Sequence, residues 1–243
     1  YDYRQMHTPG FRFPRPDRHK SSSVSLNEGA LITDRASFEA YEWPDPDAAD
    51  YDQLDAAEPP EGMKYIVWGP GGVLENMIGI VGFDRLCLLT VDDPDLLEDV
   101  SEAVGQRLAR YYELSARSPN VGALMVNDDW GFKTPTMLDP PNMRKYVIRW
   151  HAEIVKRIHA AGKPAILHSC GNLEAVMDDI IDVCGYDAKH SWEDAIVSVE
   201  DAYEQYGERI AIMGGIDVDF LCRQEPALIY LRSASKYPLQ IFL

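Results

Sequence analysis

From Met63 onward, short apolar runs alternate with longer amphipathic stretches, and each run stops at polar or glycine-containing turns. Residues 65–68, 121–127, 164–168, 188–191 and 210–213 are continuous enough to predict strands buried on both faces, the pattern of a parallel sheet. Between them, apolar residues recur at helical spacing. Asp92 and Asp93 before Pro94 predict a helix start, followed by a stripe of Leu97, Val100, Val104, Leu108 and Tyr111. Pro141 opens a second helix with a predicted inner face of Met143, Val147, Trp150, Ile154, Ile158 and Ala161, stopped by Gly162. His151 and His159 fall on its flanks as surface residues. Leu173, Val176 and Ile180 give a third helix, capped by Asn172 and ended by Gly185, and a fourth lies near Val199–Tyr206. Strict alternation predicts parallel strands with helical crossovers. The lack of a Gly-x-Gly-x-x-Gly spacing favours a barrel over a doubly wound sheet. The fold class is therefore α/β, a (β/α)8 TIM-type barrel. About six or seven strands are countable where a barrel needs eight, so the barrel is expected to be incomplete in this chain, with residues 239–243 as one more candidate strand.

Residues 1–62 lack this rhythm. Segment 1–23 is polar and proline-punctuated, with Arg12, Arg15, Arg18, His19 and Lys20 close together as the one place to grip an anionic substrate. Segment 44–62 is acidic and proline-rich. The expectation is an irregular N-terminal segment, 1–62, packed on a barrel of 63–243, a single domain overall. A chain of 243 residues with 46% hydrophobic and 10% aromatic residues buries one substantial core. Its net charge of -17 argues against nucleic acid or an anionic membrane as partner. There is no signal peptide and no apolar stretch long enough to span a bilayer. Cys87, Cys170, Cys184 and Cys222 are widely spaced without a Cys-x-x-Cys pair, which points to a reducing compartment, the cytoplasm. The chain starts at Tyr1, so a natural beginning with any targeting segment can lie outside it.

The chemistry gathers at the predicted strand exits, where barrels place their ligands. His168 and Cys170 stand two apart at the end of an extended run and so lean the same way, and imidazole with thiolate is a zinc-favouring pair. Asp128 follows the run ending at Asn127, Glu193 follows the run ending at Ser191, and Asp217 follows Gly214-Gly215-Ile216. A barrel would bring all five residues to one cavity. Gly69-Pro70-Gly71-Gly72 has no Lys-Ser/Thr after it, so it predicts a tight turn with close backbone approach rather than a phosphate cradle.

His168-Ser169-Cys170-Gly171-Asn172, Asn127-Asp128-Asp129-Trp130-Gly131 and Gly214-Gly215-Ile216-Asp217 fall in the order and spacing of the uroporphyrinogen decarboxylase superfamily. From about Trp43 to about Leu228 the chain resembles the corrinoid-dependent methyltransferase branch of that superfamily. The resemblance implies a (β/α) barrel and a methyltransferase. It would move a methyl group between methylcobamide on a separate corrinoid protein and a small-molecule donor or acceptor. In the branch that acts on thiols, a His-x-Cys motif and a later Cys hold zinc. His168 and Cys170 match the first two positions and Cys222 does not match the third, which leaves Glu193, Asp217 or a residue beyond Leu243. Relatives that demethylate ethers or betaines can lack zinc. Asp128, Glu193 and Asp217 would ring the mouth as catalytic groups. Two alternatives stay open. One is a uroporphyrinogen decarboxylase, although residues 1–30 hold no match to its arginine-rich motif; the other is a degenerate, non-catalytic barrel.

Overall fold

The computed structural model describes residues 3–7, 10–15 and 30–215. Six strands run through them: β1 (Tyr3–His7), β2 (Lys64–Trp68), β3 (Val121–Asn127), β4 (Ala165–His168), β5 (Ala188–Trp192) and β6 (Ala211–Gly214). Each pairs in parallel with the next, in chain order. The short helices α1 (Arg35–Ala40) and α2 (Asp52–Ala56) precede β2, and α3 (Val73–Val81), α4 (Phe83–Asp92) and α5 (Pro94–Ser115) link β2 to β3. The crossover from β3 to β4 is α6 (Pro140–Met143), which passes through a π-turn at Arg144–Ile148 into α7 (Arg149–Ala160). A 3-10 turn (Glu174–Val176) and a π segment (Asp179–Cys184) join β4 to β5, and α8 (Val199–Tyr206) joins β5 to β6. Sequential parallel pairing with helical crossovers is a partial (β/α) barrel. No helix among the described residues is long and apolar enough to cross a membrane.

The predicted strand exits at Trp68, Asn127 and His168 are met, and β5 and β6 each run one residue past Ser191 and Met213. Alternation along the strands divides the core. Val67, Leu124, Val126 and Leu167 pack outward against the helices. Ile66, Ala123, Met125, Ile166 and Ala188 form a small inner cluster with Trp68 and Met213. One cap follows the sequence, the Asp93 carboxylate accepting from Leu96 N at 3.0 Å. The other does not, because Leu173 rather than Asn172 precedes the 3-10 turn, and Asn172 Oδ1 accepts from Glu174 N at 3.0 Å as a local turn instead.

Further expectations are corrected: the third predicted helix is a 3-10 turn and a π segment. Residues 1–62 are not irregular throughout, because Tyr3–His7 pairs with Lys64–Trp68 as β1. Its residues include no apolar run; backbone pairing makes it a strand. Phe11, Phe13, Ile32 and Leu54 then enter the main core. His151 is not a surface residue: it is fully buried. The helix presents a wider arc than a single stripe, burying His151, Ile154, Val155 and Ile158 together. At β5 the pairing with β6 shifts between His190 and Trp192, and Ser191 takes a left-handed backbone with φ of 67°.

Candidate active site at the strand exits

His168 stands opposite Asn127 on one side and His190 on the other, so three strand ends present residues at one level. The two imidazoles touch through their Nδ1 atoms at 2.7 Å, one donating and the other accepting. The Trp68 ring closes against both, at 5.3 Å from His168 and 6.2 Å from His190. Burial lowers the pKa of each histidine; for His190 the neighbouring His168 adds to the effect, whereas for His168 the Asp129 charge opposes it. Neutral rings are therefore favoured, and a neutral ring nitrogen is a metal ligand.

One level further out, Asp129 Oδ1 accepts from Cys170 N at 2.8 Å. The ligand atoms of Asp129, His168 and Cys170 lie within 4.8 Å of one another. Cys170 Sγ is also 3.3 Å from Ser191 Oγ. Burial raises the thiol's pKa, the Ser191 hydrogen bond pulls it back, and Asp129 and Glu193 push it up again. Glu193 holds the turn itself, its Oε1 accepting from Gly171 N at 2.5 Å. The turn is locked by backbone contact. Gly171 has φ of 86°, and a Cβ there would lie 2.2 Å from the Gly131 carbonyl carbon. Gly131 N donates to Cys170 O at 3.2 Å, and Asn172 N donates to Phe132 O at 2.7 Å. The loops leaving β3 and β4 are thus zipped together, which fixes Asp129 against Cys170.

Asp128 is elsewhere. Alternation turns it to the helix side of β3, fully buried. Its carboxylate accepts from Leu74 N and Glu75 N at the start of α3, at 3.0 and 2.8 Å, and from Trp130 Nε1 at 2.9 Å. His151 Nε2 lies 2.8 Å from the same carboxylate, and His151 Nδ1 lies 2.7 Å from Tyr186 OH. The start of α3 is a natural anion site, and here the anion is a side chain. Gly72 leaves room for it, since a Cβ would fall 2.1 Å from Asp128 Cβ. Asp128 therefore bolts α3 and α7 to β3 rather than facing the mouth.

Glu75, on the first turn of α3, completes the mouth. Its Oε2 accepts from Asn127 Nδ2 at 3.3 Å and from Gly72 N at 3.4 Å. Burial, then the charges of Asp128 and Asp129, raise its pKa to about 7. Of the five residues expected to converge, His168 and Cys170 do so, Glu193 adjoins them through Gly171 N, and Asp128 lies behind. Asp217, like Cys222, lies outside the described residues.

A model of the uroporphyrinogen decarboxylase (URO-D) family matches residues 66–234, most of the chain and all of its described strand exits from β2 onward. The chain belongs to the uroporphyrinogen decarboxylase family. Among solved structures, a methyltransferase from Methanosarcina mazei is similar with a TM-score of 0.56 and 16% identity, over 83% of this chain and 54% of that one. The likeness is one of fold, and the chain spans about half that structure's length. No curated protein sequence matches.

Within this family barrel, two mouth residues, His190 and Glu75, are absent from the sequence reading, and Asp129 stands in it only as the neighbour of Asp128. Asp129 was readable from parity, since it leans with Asn127, whereas Asp128 leans away. His190 follows from the same rule once Lys189 is recognised as outward-facing. Glu75 carried a spacing signal, Gly72-x-x-Glu75 at a helix start, of the kind that returns a glutamate to the cap.

Proposed function

We propose that this member of the uroporphyrinogen decarboxylase family is a metal-assisted methyltransferase. It would move a methyl group between methylcobamide on a partner corrinoid protein and a small molecule at the barrel mouth. The observation that carries the reading is the Asp129, His168 and Cys170 donor set, one carboxylate oxygen, one imidazole nitrogen and one sulfur within 4.8 Å. Thiolate with imidazole is a zinc-type set, and three protein ligands leave a position open, as catalytic zinc sites do. These residues would hold zinc, which lowers the pKa of a bound thiol so that it is a thiolate near neutral pH.

The remaining work falls to the chain itself. The His168 ring is fixed by His190 and Trp68, which is how a supporting shell orients a ligand. Asp129 and Glu193 set the Cys170 turn through the amides of Cys170 and Gly171. Glu75, with its pKa near 7, can take up or release the substrate proton at its carboxylate. Trp68 and the inner apolar cluster keep water from the floor of the mouth.

The same Glu75 favours a second reading. A protonatable carboxyl beside Asp129 suits a decarboxylase in which a carboxylate stabilises a protonated pyrrole, with no metal and no partner protein. Elemental analysis of the purified chain separates the two. The methyltransferase reading expects close to one zinc per chain when zinc is supplied, and a loss of about tenfold or more in affinity in each of Asp129→Ala, His168→Ala and Cys170→Ala. Absence of zinc from the unsubstituted chain, with turnover of a porphyrinogen, establishes the decarboxylase instead. Absence of both zinc and porphyrinogen turnover overturns the zinc-assisted reading and leaves a zinc-free ether or betaine demethylase or a non-catalytic barrel.

A further inference from the structure

Two polar atoms on the inner face are left over. Trp68 Nε1 and Asn127 Oδ1 are buried and have no hydrogen-bond partner among the described residues. Both face the interior. Trp68 pairs opposite Met125 and packs with it in the inner cluster, and Asn127 lies two residues beyond Met125 on the same face. Neither side chain is loose. The indole is pinned against His168 and His190, and Asn127 Nδ2 is committed to Glu75 Oε2 at 3.3 Å, which leaves Oδ1 as the amide's open end. A buried donor and a buried acceptor left unmade on adjacent strands cost stability, and a ligand that meets both removes the deficit.

We propose that Trp68 Nε1 and Asn127 Oδ1 form the polar end of a substrate subsite that takes a small, neutral, hydroxyl-bearing molecule. The reactive sulfur or oxygen of that molecule then faces Asp129, His168 and Cys170. This rests on the methyl-transfer reading and names its substrate class. A hydroxyl is the smallest group that accepts from an indole N–H and donates to an amide oxygen at once. A carboxylate or sulfonate head offers no donor for Asn127 and enters beside Glu75 and Asp129, which repel it. A quaternary ammonium offers Trp68 no acceptor and Asn127 no N–H.

The test uses the full chain, metal-free and loaded with cobalt(II) as a spectroscopic stand-in for zinc. The probes are 2-mercaptoethanol, ethanethiol and 3-mercaptopropionate. Ligand-observed NMR reads binding to both forms, and the thiolate-to-cobalt absorption band reads coordination. Expected is about tenfold tighter binding of 2-mercaptoethanol than of ethanethiol, with 3-mercaptopropionate the weakest. Trp68→Phe keeps the ring and loses the N–H, so it should erase the preference of 2-mercaptoethanol over ethanethiol. Asn127→Ala should do likewise. Equal binding of the two neutral thiols to the unsubstituted chain overturns the subsite, as does a preference that survives both substitutions; water filling the two atoms gives the first of these results. If the cobalt band is missing while the preference is intact, the metal-assisted reading falls and the subsite stands. If the band is intact and the preference absent, only the subsite falls.

Discussion

Lys189 brings a charge into the layer between sheet and helices. Its Nζ donates to the carbonyls of Ser169 at 2.6 Å and Ser191 at 3.1 Å, and it sits 5.3 Å from the Trp192 ring centroid. Burial is the main cause of a pKa lowered from 10.5 to about 8. Between those values the unfolded chain holds a proton at this lysine that the folded chain has released, so stability rises with pH across the window from about 8 to 10.5. Denaturant midpoints should climb over that range, and Lys189→Met should flatten the climb relative to the unsubstituted chain. An identical slope in both would mean that the ammonium is not buried. The Asp128–His151–Tyr186 chain makes a graded prediction. His151→Leu strips a partner from a fully buried carboxylate and should cost about 3–5 kcal/mol, whereas Tyr186→Phe removes one neutral hydrogen bond and should cost about 1 kcal/mol. Urea unfolding of the two variants checks the order. None of this chain was legible beforehand. Periodicity reports which face a residue shares, but Asp128 and Tyr186 are far from His151 in sequence, and only the packed fold makes them partners.

At the scale of elements, the legible parts were those with a strong local signal. β2, β3 and β4 announce themselves as apolar runs cut off by turn residues, and His168 with Cys170 could be paired because both lie on one strand end. Parity places Asp129 on the mouth side, but its meeting with Cys170 needed the register between β3 and β4, which no single stretch contains. β1 needed its partner, for want of an apolar run of its own. The third predicted helix became a 3-10 turn and a π segment, a difference in winding that side-chain spacing does not resolve. The Gly131–Gly171 contact carries the prediction at this scale. Alanine at Gly171 must find room against the Gly131 backbone while holding a φ of 86°, so it should cost about 1–3 kcal/mol or more. It should also weaken cobalt(II) binding by pushing Cys170 away from Asp129. Unchanged cobalt spectra in a destabilised but folded Gly171→Ala would show that the two loops do not set the donor spacing.

For the molecule as a whole, barrel architecture followed from strict alternation, and the family from motifs at three strand exits. One core cluster runs from Phe11 and Phe13 through α3, α5 and α7 to Ile210, so the N-terminal segment and the barrel share a single interior. Far-UV circular dichroism and tryptophan fluorescence should accordingly report one coincident unfolding transition; two separated transitions would divide the segment from the barrel. The left-handed Ser191 bears on the same global stability. A side chain held at φ of 67° works against the backbone by about 1–2 kcal/mol, part of which a glycine would recover. Yet Ser191 supplies the hydroxyl 3.3 Å from Cys170 Sγ. Ser191→Gly should raise the melting temperature and slacken the sulfur's setting in one stroke. Heat-based selection applied to this chain would thus favour a sturdier barrel with a less exact mouth.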